Sequence, residues 1–202
     1  MHVALIGASG QAGSRILAEL SSRGHRITAI ARNPEKIAGG PGITAARGDI
    51  WQTAAMVELL RGHDAVISSV HFVASDPAAL IEMVRKAGVQ RYLVVGGAGS
   101  LEVTPGQPLN RTPDFPERAR AESWKGSEFL ALLRQERELD WTFLSPSALF
   151  FAGKRTSQFR LGGDQLLTGP DGSSISFEDY AVALVDELEQ PRHSRRRFTV
   201  GY

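Results

Sequence analysis

Gly7, Gly10 and Gly13 stand three residues apart in LIGASGQAGSRIL, between the apolar run VALI and the start of a helical pattern. A glycine loop between a strand and a helix can cradle a phosphate, because the first amides of the helix are free and its dipole favours an anion. Gly7 would permit the tight turn, Gly10 would let the backbone approach a pyrophosphate, and Gly13 would let the helix pack close to the strand. The amides around Gln11 and Ala12 would then face the phosphates, with the Ser9 hydroxyl as a further donor. The position directly after a strand and before a helix makes this pattern specific to a dinucleotide.

The stretch IARNPEK, at the end of the second strand, decides which dinucleotide. An acidic residue there would accept hydrogen bonds from a ribose 2′-hydroxyl and favour NAD. The sequence instead has Arg32, with Asn33 beside it and Lys36 one turn on. A guanidinium can hold a 2′-phosphate through two parallel charged hydrogen bonds, so NADP(H) is expected over NAD(H). Asp49 and Ile50, in RGDI after the third strand, are placed to meet the adenine edge. Ser68, Ser69 and Val70 close the fourth strand at its carboxyl end, where ligands bind in open α/β sheets.

These residues require a particular scaffold. Strands are expected at Val3–Ile6, Arg26–Ala31, Ile43–Ala46, Ala65–Ser69 and Tyr92–Val95. Helices are expected at Gln11–Ser22, at Thr53–Leu60 with Thr53 as N-cap, and from Pro77 to about Ala87 with Asp76 as N-cap. Strands alternating with helices predict a parallel sheet covered on both faces, and runs such as VALI and YLVV suit strands buried on both sides. Leu101–Pro116 holds four prolines and no periodic pattern, and reads as a long surface loop. A helix is expected over Arg118–Leu139, a sixth strand at Trp141–Leu144, a capping box of Ser176 with Asp179 opening a helix to about Glu189, and a last strand at Phe198–Val200. The fold class is α/β, a Rossmann-type doubly wound sheet in one domain spanning 1–202. Residues 101–117 and 145–175 would form loops on the substrate side.

The chain has 202 residues, 42% of them apolar, and Lys plus Arg at 23 against Asp plus Glu at 22. That composition is globular, and the near-neutral balance gives no general case for nucleic acid or an anionic membrane. With no cysteine, disulfides and thiolate chemistry are excluded, and the five histidines are scattered without ligand spacing, so no metal is expected. The chain begins directly in a strand pattern, without a basic n-region or cleavage site, and a cytoplasmic protein is expected. PRHSRRRF is the one basic cluster. It reads as a solvated turn, with a partner or phosphate patch as the alternative.

The start of the chain, RNPEK, RGDI and VVGGAGSL together resemble the atypical short-chain dehydrogenase/reductases. PDFP, LDWTFLSPSALFFAGKRT, LGGDQLL and ISFEDYAVALVDELEQP…RRRFTVGY narrow this to a small family of NADH-flavin reductases, single-domain NAD(P)-binding proteins related to the NmrA-like group. The resemblance covers nearly the whole chain. It implies a dinucleotide along the strand ends and reduction of a flavin or similar acceptor. It places the pyrophosphate on Gly7, Ser9, Gly10, Gln11 and Ala12, the adenosine on Arg32 and Asp49, the nicotinamide ribose on Ser68–Val70 and Gly96, and the carboxamide side on Pro146 and Ser147. The family name says NADH, whereas Arg32 argues for NADPH.

Classical members of that superfamily use Tyr-x-x-x-Lys with a Ser. Here none of Tyr92, Tyr180 and Tyr202 has Lys four positions later, and the start of the long helix reads RAESWKGSE. Ser100 in GGAGSL lacks its partners, and the Trp124 indole is a donor with no acidic proton. That departure counts against ketone reduction, and with the short C-terminal part it counts against sugar-nucleotide epimerase chemistry. Hydride transfer to a flavin or quinone survives, because such acceptors can take their proton from water. FMN or FAD would enter as a dissociable substrate. Phe72, Trp124, Phe150 and Phe151 are candidates for an aromatic pocket, His71 for a hydrogen bond to the reduced acceptor, and Ser100, His71 and Trp124 stand as the catalytic candidates. The competing reading is a non-catalytic NADP(H)-binding redox sensor. A homodimer or a protein partner is left open.

Overall fold

Alternation along the first strand sets the plan of the molecule. In β1 (His2–Ile6), Val3 and Leu5 enter one hydrophobic core while Ala4 and Ile6 enter another on the opposite face. The computed structural model describes residues 1–202. Along the chain follow α1 (Gln11–Ser22), β2 (Arg26–Ala31), β3 (Ile43–Arg47), α2 (Thr53–Leu60), β4 (Ala65–Ser68), α3 (Pro77–Lys86) and β5 (Arg91–Val95). After these come β6 (Glu102–Thr104), β7 (Gln107–Pro108), α4 (Glu117–Gln135), β8 (Asp140–Pro146), β9 (Leu149–Phe151), β10 (Arg160–Gly162), β11 (Ser174–Ser176), α5 (Phe177–Glu189) and β12 (Arg196–Gly201).

One eight-stranded sheet runs β10-β12-β8-β5-β4-β1-β2-β3, parallel throughout except for β10, which pairs antiparallel with β12. Helices α1 and α5 cover one face through Ile16, Leu17, Leu20, Tyr180, Leu184 and Leu188. Helices α2, α3 and α4 cover the other, where Met56, Leu60, Leu80, Val84, Phe129 and Leu133 meet the strands. This is the Rossmann arrangement, with the strand order reversing between β1 and β4. No helix is long and apolar enough to cross a membrane.

The differences from the sequence expectation have local causes. Thr53 is the first helical residue, and Gln52 holds the cap position without a side-chain bond. Residues 101–116 are not a plain surface loop: Leu101 and Asn110 are buried, and β6 pairs with β7. Backbone bonds from Glu102 to Asp164 and from Leu166 to Glu102, each 2.9 Å, stitch this hairpin to the 160s. Helix α4 stops at Gln135, four residues early, because the Glu136 carboxylate accepts the amides of Glu138 and Leu139 and turns the chain. Only half of the Ser176–Asp179 capping box forms. Ser176 Oγ accepts from the Asp179 amide at 3.0 Å, but the Ser176 amide bonds the Tyr202 hydroxyl instead of the Asp179 carboxylate.

At the amino ends of the central strands lies a buried ionic cluster. Arg91 donates to Glu187 Oε1 at 3.1 Å, to Thr142 Oγ1 at 2.8 Å and to the Asp140 carbonyl at 3.1 Å. Glu187 also accepts the backbone amides of Arg192 and His193, fixing the turn between α5 and β12. Removing one member of such a pair leaves a buried charge without its partner, which costs about 3–5 kcal/mol. Glu187→Ala is therefore expected to lower the urea-unfolding free energy by roughly that amount. A loss below about 1 kcal/mol would show that the cluster is not an interdependent unit.

Candidate functional site

The glycine loop forms the centre of the carboxyl end of the sheet. Gly7 has φ +82°, and a Cβ there would overlap the Ser69 carbonyl oxygen. A Cβ on Gly13 would overlap the Gly7 carbonyl, so α1 lies directly against the turn. Gly10 occupies the N-cap position, and Ser14 N donates to its carbonyl at 2.9 Å. The amides of Gln11, Ala12 and Gly13 have no protein acceptor, and the first turn contains no acidic residue. By contrast, α3 is capped by Asp76 and α5 by Ser176. Ser9 is exposed beside these open amides.

A cleft of about 390 Å³ lies beyond the ends of β2 and β3, lined by Arg32, Asn33, Arg47, Asp49, Gln52 and Leu59, among others. It gathers three of the adenosine-side residues expected from sequence and adds Arg47. Neither guanidinium has a carboxylate partner within the ion-pair distance. Their closeness follows from strand register, since Ala31 stands opposite Arg47. The Asp49 carboxylate accepts the Trp51 amide at 3.1 Å and shapes the entry to α2. Lys36 ends the 3₁₀ turn Pro34–Lys36 and does not line the cleft, and Ile50 packs half-buried on the core beside α2.

Not every polar residue at the strand ends faces outward. Ser68 is buried, its hydroxyl 2.9 Å from that of Tyr92, so it offers no side chain to a ligand. Ser147 is likewise buried and donates to the Val200 carbonyl at 3.0 Å. Ser69 and Val70 remain half-buried at the rim, whereas Gly96 and Pro146 are buried at the ends of β5 and β8, the Gly96 amide donating to the Leu144 carbonyl at 2.8 Å. All three tyrosines are held structurally. Burial pushes the Tyr92 and Tyr180 hydroxyls up, the latter donating to the Leu144 carbonyl. Burial also raises Tyr202, whose hydroxyl meets Ser176 and Asp179.

On the acceptor side, the structure revises several roles. Phe72 is 5% exposed and stacks in the core with Phe143, edge-on to Phe129, so it does not line an open pocket. Phe150 packs against Phe177 and Tyr180, which leaves Phe151 as the exposed aromatic of that pair. Ser100 Oγ accepts from Arg197 at 3.3 Å within the contacts that fix the 160s. Trp124 is exposed with the Arg111 guanidinium over its ring. His71 is exposed, 3.3 Å from Glu122. Sequence reasoning missed Glu122: its carboxylate accepts the amides of Phe72 and Val73 at 2.8 and 2.9 Å and ties α4 to the end of β4. It also missed Ser123, whose buried hydroxyl lies against Gly99 without a partner.

Residues 7–191 match the model of a family described as NAD(P)H-binding. This chain belongs to the NAD(P)H-binding family. It is similar to solved structures that carry different names. A protein of Burkholderia pseudomallei, described as a "putative exported protein", is 41% identical with a TM-score of 0.90, and the match covers 100% of both chains. A "putative epimerase" of Bacteroides thetaiotaomicron is 40% identical with a TM-score of 0.94, over 100% of this chain and 96% of the other. A "putative NADH-flavin reductase" of Streptococcus pneumoniae is 38% identical with a TM-score of 0.85, over 100% of this chain and 99% of the other.

The segment that follows β9 in this NAD(P)H-binding chain is held by carboxylates. Residues 152–158 run exposed beside α1 and α5. Arg155 grips Glu19 through two bonds of 2.8 Å, the Gly153 amide reaches Glu178 at 2.8 Å, and Asp179 accepts the amides of Thr156 and Ser157 at 2.7 Å each. Hydrogen bonds from Arg155 hold Glu19 below the ordinary carboxylate range, against the opposing effect of burial. Burial pushes Glu178 and Asp179 up, but the bonds they accept outweigh it and leave both lowered. A lowered folded value stabilises the clamp above the unfolded carboxyl pKa near about 4, and that contribution disappears as pH falls through the folded values. Hydrogen exchange, corrected for intrinsic rates, is expected to show Gly153, Thr156 and Ser157 amides protected at pH 6, with the protection lost only as pH falls below the ordinary carboxylate range. Protection that persists in acid would exclude the carboxylates as its cause.

Proposed function

We propose that this chain is an NADPH-dependent reductase whose acceptor is a flavin or a quinone-like molecule. The observation that carries the reading is the open N-terminus of α1, where three amides lack acceptors and no carboxylate competes for them. A dinucleotide pyrophosphate fits that chemistry. Arg32 and Arg47, both without carboxylate partners around the adenosine-side cleft, favour a cofactor with a 2′-phosphate. The bound dinucleotide would supply a hydride. The chain's own part is to bind it through Gly7–Ala12, orient it over Gly96 and Pro146, and admit an acceptor past Phe151 and Trp124. The name of the pneumococcal relative agrees with a flavin as that acceptor.

The tyrosines support an acceptor that takes its proton from water. Tyr92 and Tyr180 are buried, and the Tyr202 hydroxyl is shared between Ser176 and Asp179. Their engagement also fits a sensor that binds NADP(H) without turnover, and an acceptor screen separates the two. NADPH oxidation is expected with free FMN, FAD or a quinone, and faster than NADH oxidation at equal concentration. Arg32→Ala and Arg47→Ala are each expected to reduce the NADPH-over-NADH preference about 10–100-fold, the loss of one charged hydrogen-bonding partner. A preference unchanged in both variants sinks the 2′-phosphate assignment. Tight NADPH binding with every acceptor inert establishes the sensor.

A further inference from the structure

The basic segment PRHSRRRF plays no part in the reductase reading, yet it builds one wall of a cleft of about 460 Å³. The cleft lies beside Arg196 and Trp141, where β12 and β8 begin, at the opposite end of the sheet from the glycine loop. Four guanidinium groups line it, from Arg134, Arg195, Arg196 and Arg197, against the single carboxylate of Asp164. The whole chain has a net charge of only +1, so this is a concentrated excess of positive charge.

The four arginines divide into a scaffold and a set of free donors. Arg197 is buried and fully engaged: Nε and Nη2 donate to Asp164 and Nη1 to Ser100 Oγ. Arg134 gives Asp164 only one bond, at 3.2 Å. Arg195 is anchored through Nε to the Leu139 carbonyl at 3.3 Å, which leaves its two terminal nitrogens unpartnered, and Arg196 has no protein partner. Strand β10 pairs only with Thr199–Gly201, so the backbone edge of β12 at Arg196–Phe198 has no neighbouring strand.

Trp141 stands in the wall of the cleft at 2% exposure with its indole nitrogen shut off from solvent, so its emission reports on the cleft without touching what fills it. Guanidinium geometry matches phosphate oxygens in pairs, and the free donors of Arg134, Arg195 and Arg196 face one cleft.

We propose that this cleft is a second anion site that binds a mono- or diphosphate through the guanidinium groups of Arg134, Arg195 and Arg196. The phosphate would be a free ion or the phosphate of a nucleotide, both with the same chemistry at the site.

The test titrates the full chain with inorganic phosphate, pyrophosphate and ADP by calorimetry and tryptophan fluorescence, at constant ionic strength with chloride as control. Pyrophosphate is expected to bind and change the emission, and the emission change is expected to vanish in Trp141→Phe. Arg134→Ala and Arg196→Ala, both at exposed side chains, are each expected to weaken the binding reported by the Trp141-dependent emission tenfold or more. Tighter binding of ADP than of pyrophosphate, with the same dependence on Arg196, assigns the site to a nucleotide phosphate. The reverse order assigns it to the free ion. The proposal is overturned if no phosphate species binds beyond the chloride control, or if the weakening appears only in Arg32→Ala, which would place the anion in the cofactor cleft. It is also overturned if a short DNA duplex binds through Arg196 while the small phosphates do not.

Discussion

The turn at Gly7 is the constraint on which the carboxyl end of this molecule depends. The chain leaves β1 and enters α1 through a space so narrow that Gly7 lies against the Ser69 carbonyl and Gly13 against that of Gly7. Side chains are excluded from the turn, so what it presents is backbone. The same closeness lets Ile16, Leu17 and Leu20 lie on the sheet, and it aims the first amides of α1 away from the protein. Packing and ligand chemistry at this point are one geometric fact. A residue larger than glycine at position 7 or 13 would disturb both.

The parallel layers were legible in the sequence because strands buried on both faces must be continuously apolar. The bounds of α1 and α2 were also read, although Thr53 opens α2 as its first helical residue and not as its cap. The short strands β6, β7, β9, β10 and β11 were not, since they are two or three residues long, held by backbone pairing, and leave no periodic pattern. Within the site, the glycine loop and Arg32 were legible as local motifs. Arg47 was not, because its place beside Arg32 comes from the register between two strands. Ser68 and Ser147 turned inward to partners distant in the chain, the Tyr92 hydroxyl and the Val200 carbonyl. Phe72 was misjudged because its position depends on Glu122, fifty residues away in the chain.

Charge is handled in two ways around the sheet. At the amino end of β5, Arg91 and Glu187 are buried and bonded to one another, to Thr142 and to the backbone, with Arg91 Nε left unpartnered. Beyond the ends of β2 and β3, Arg32 and Arg47 stand free of carboxylates. The near-equal numbers of acids and bases hide this, because many carboxylates are occupied with backbone amides. Asp49, Asp76, Glu122, Glu136, Asp179 and Glu187 each accept from a turn or helix start. Acidic residues thus serve largely as internal fasteners, which leaves arginine to define what the surface attracts.

Helix α1 begins on a glycine that can supply no cap of its own. Its first-turn amides therefore stay open to solvent or to a ligand. A molecule that completes a helix in the folded state and has no counterpart in the unfolded chain shifts the folding equilibrium by mass action. On the proposed reading, the resistance of this protein to unfolding and proteolysis is not a fixed property of its sequence. It rises and falls with the concentration of the dinucleotide around it, so the abundance of the protein would follow the reducing supply that it draws on.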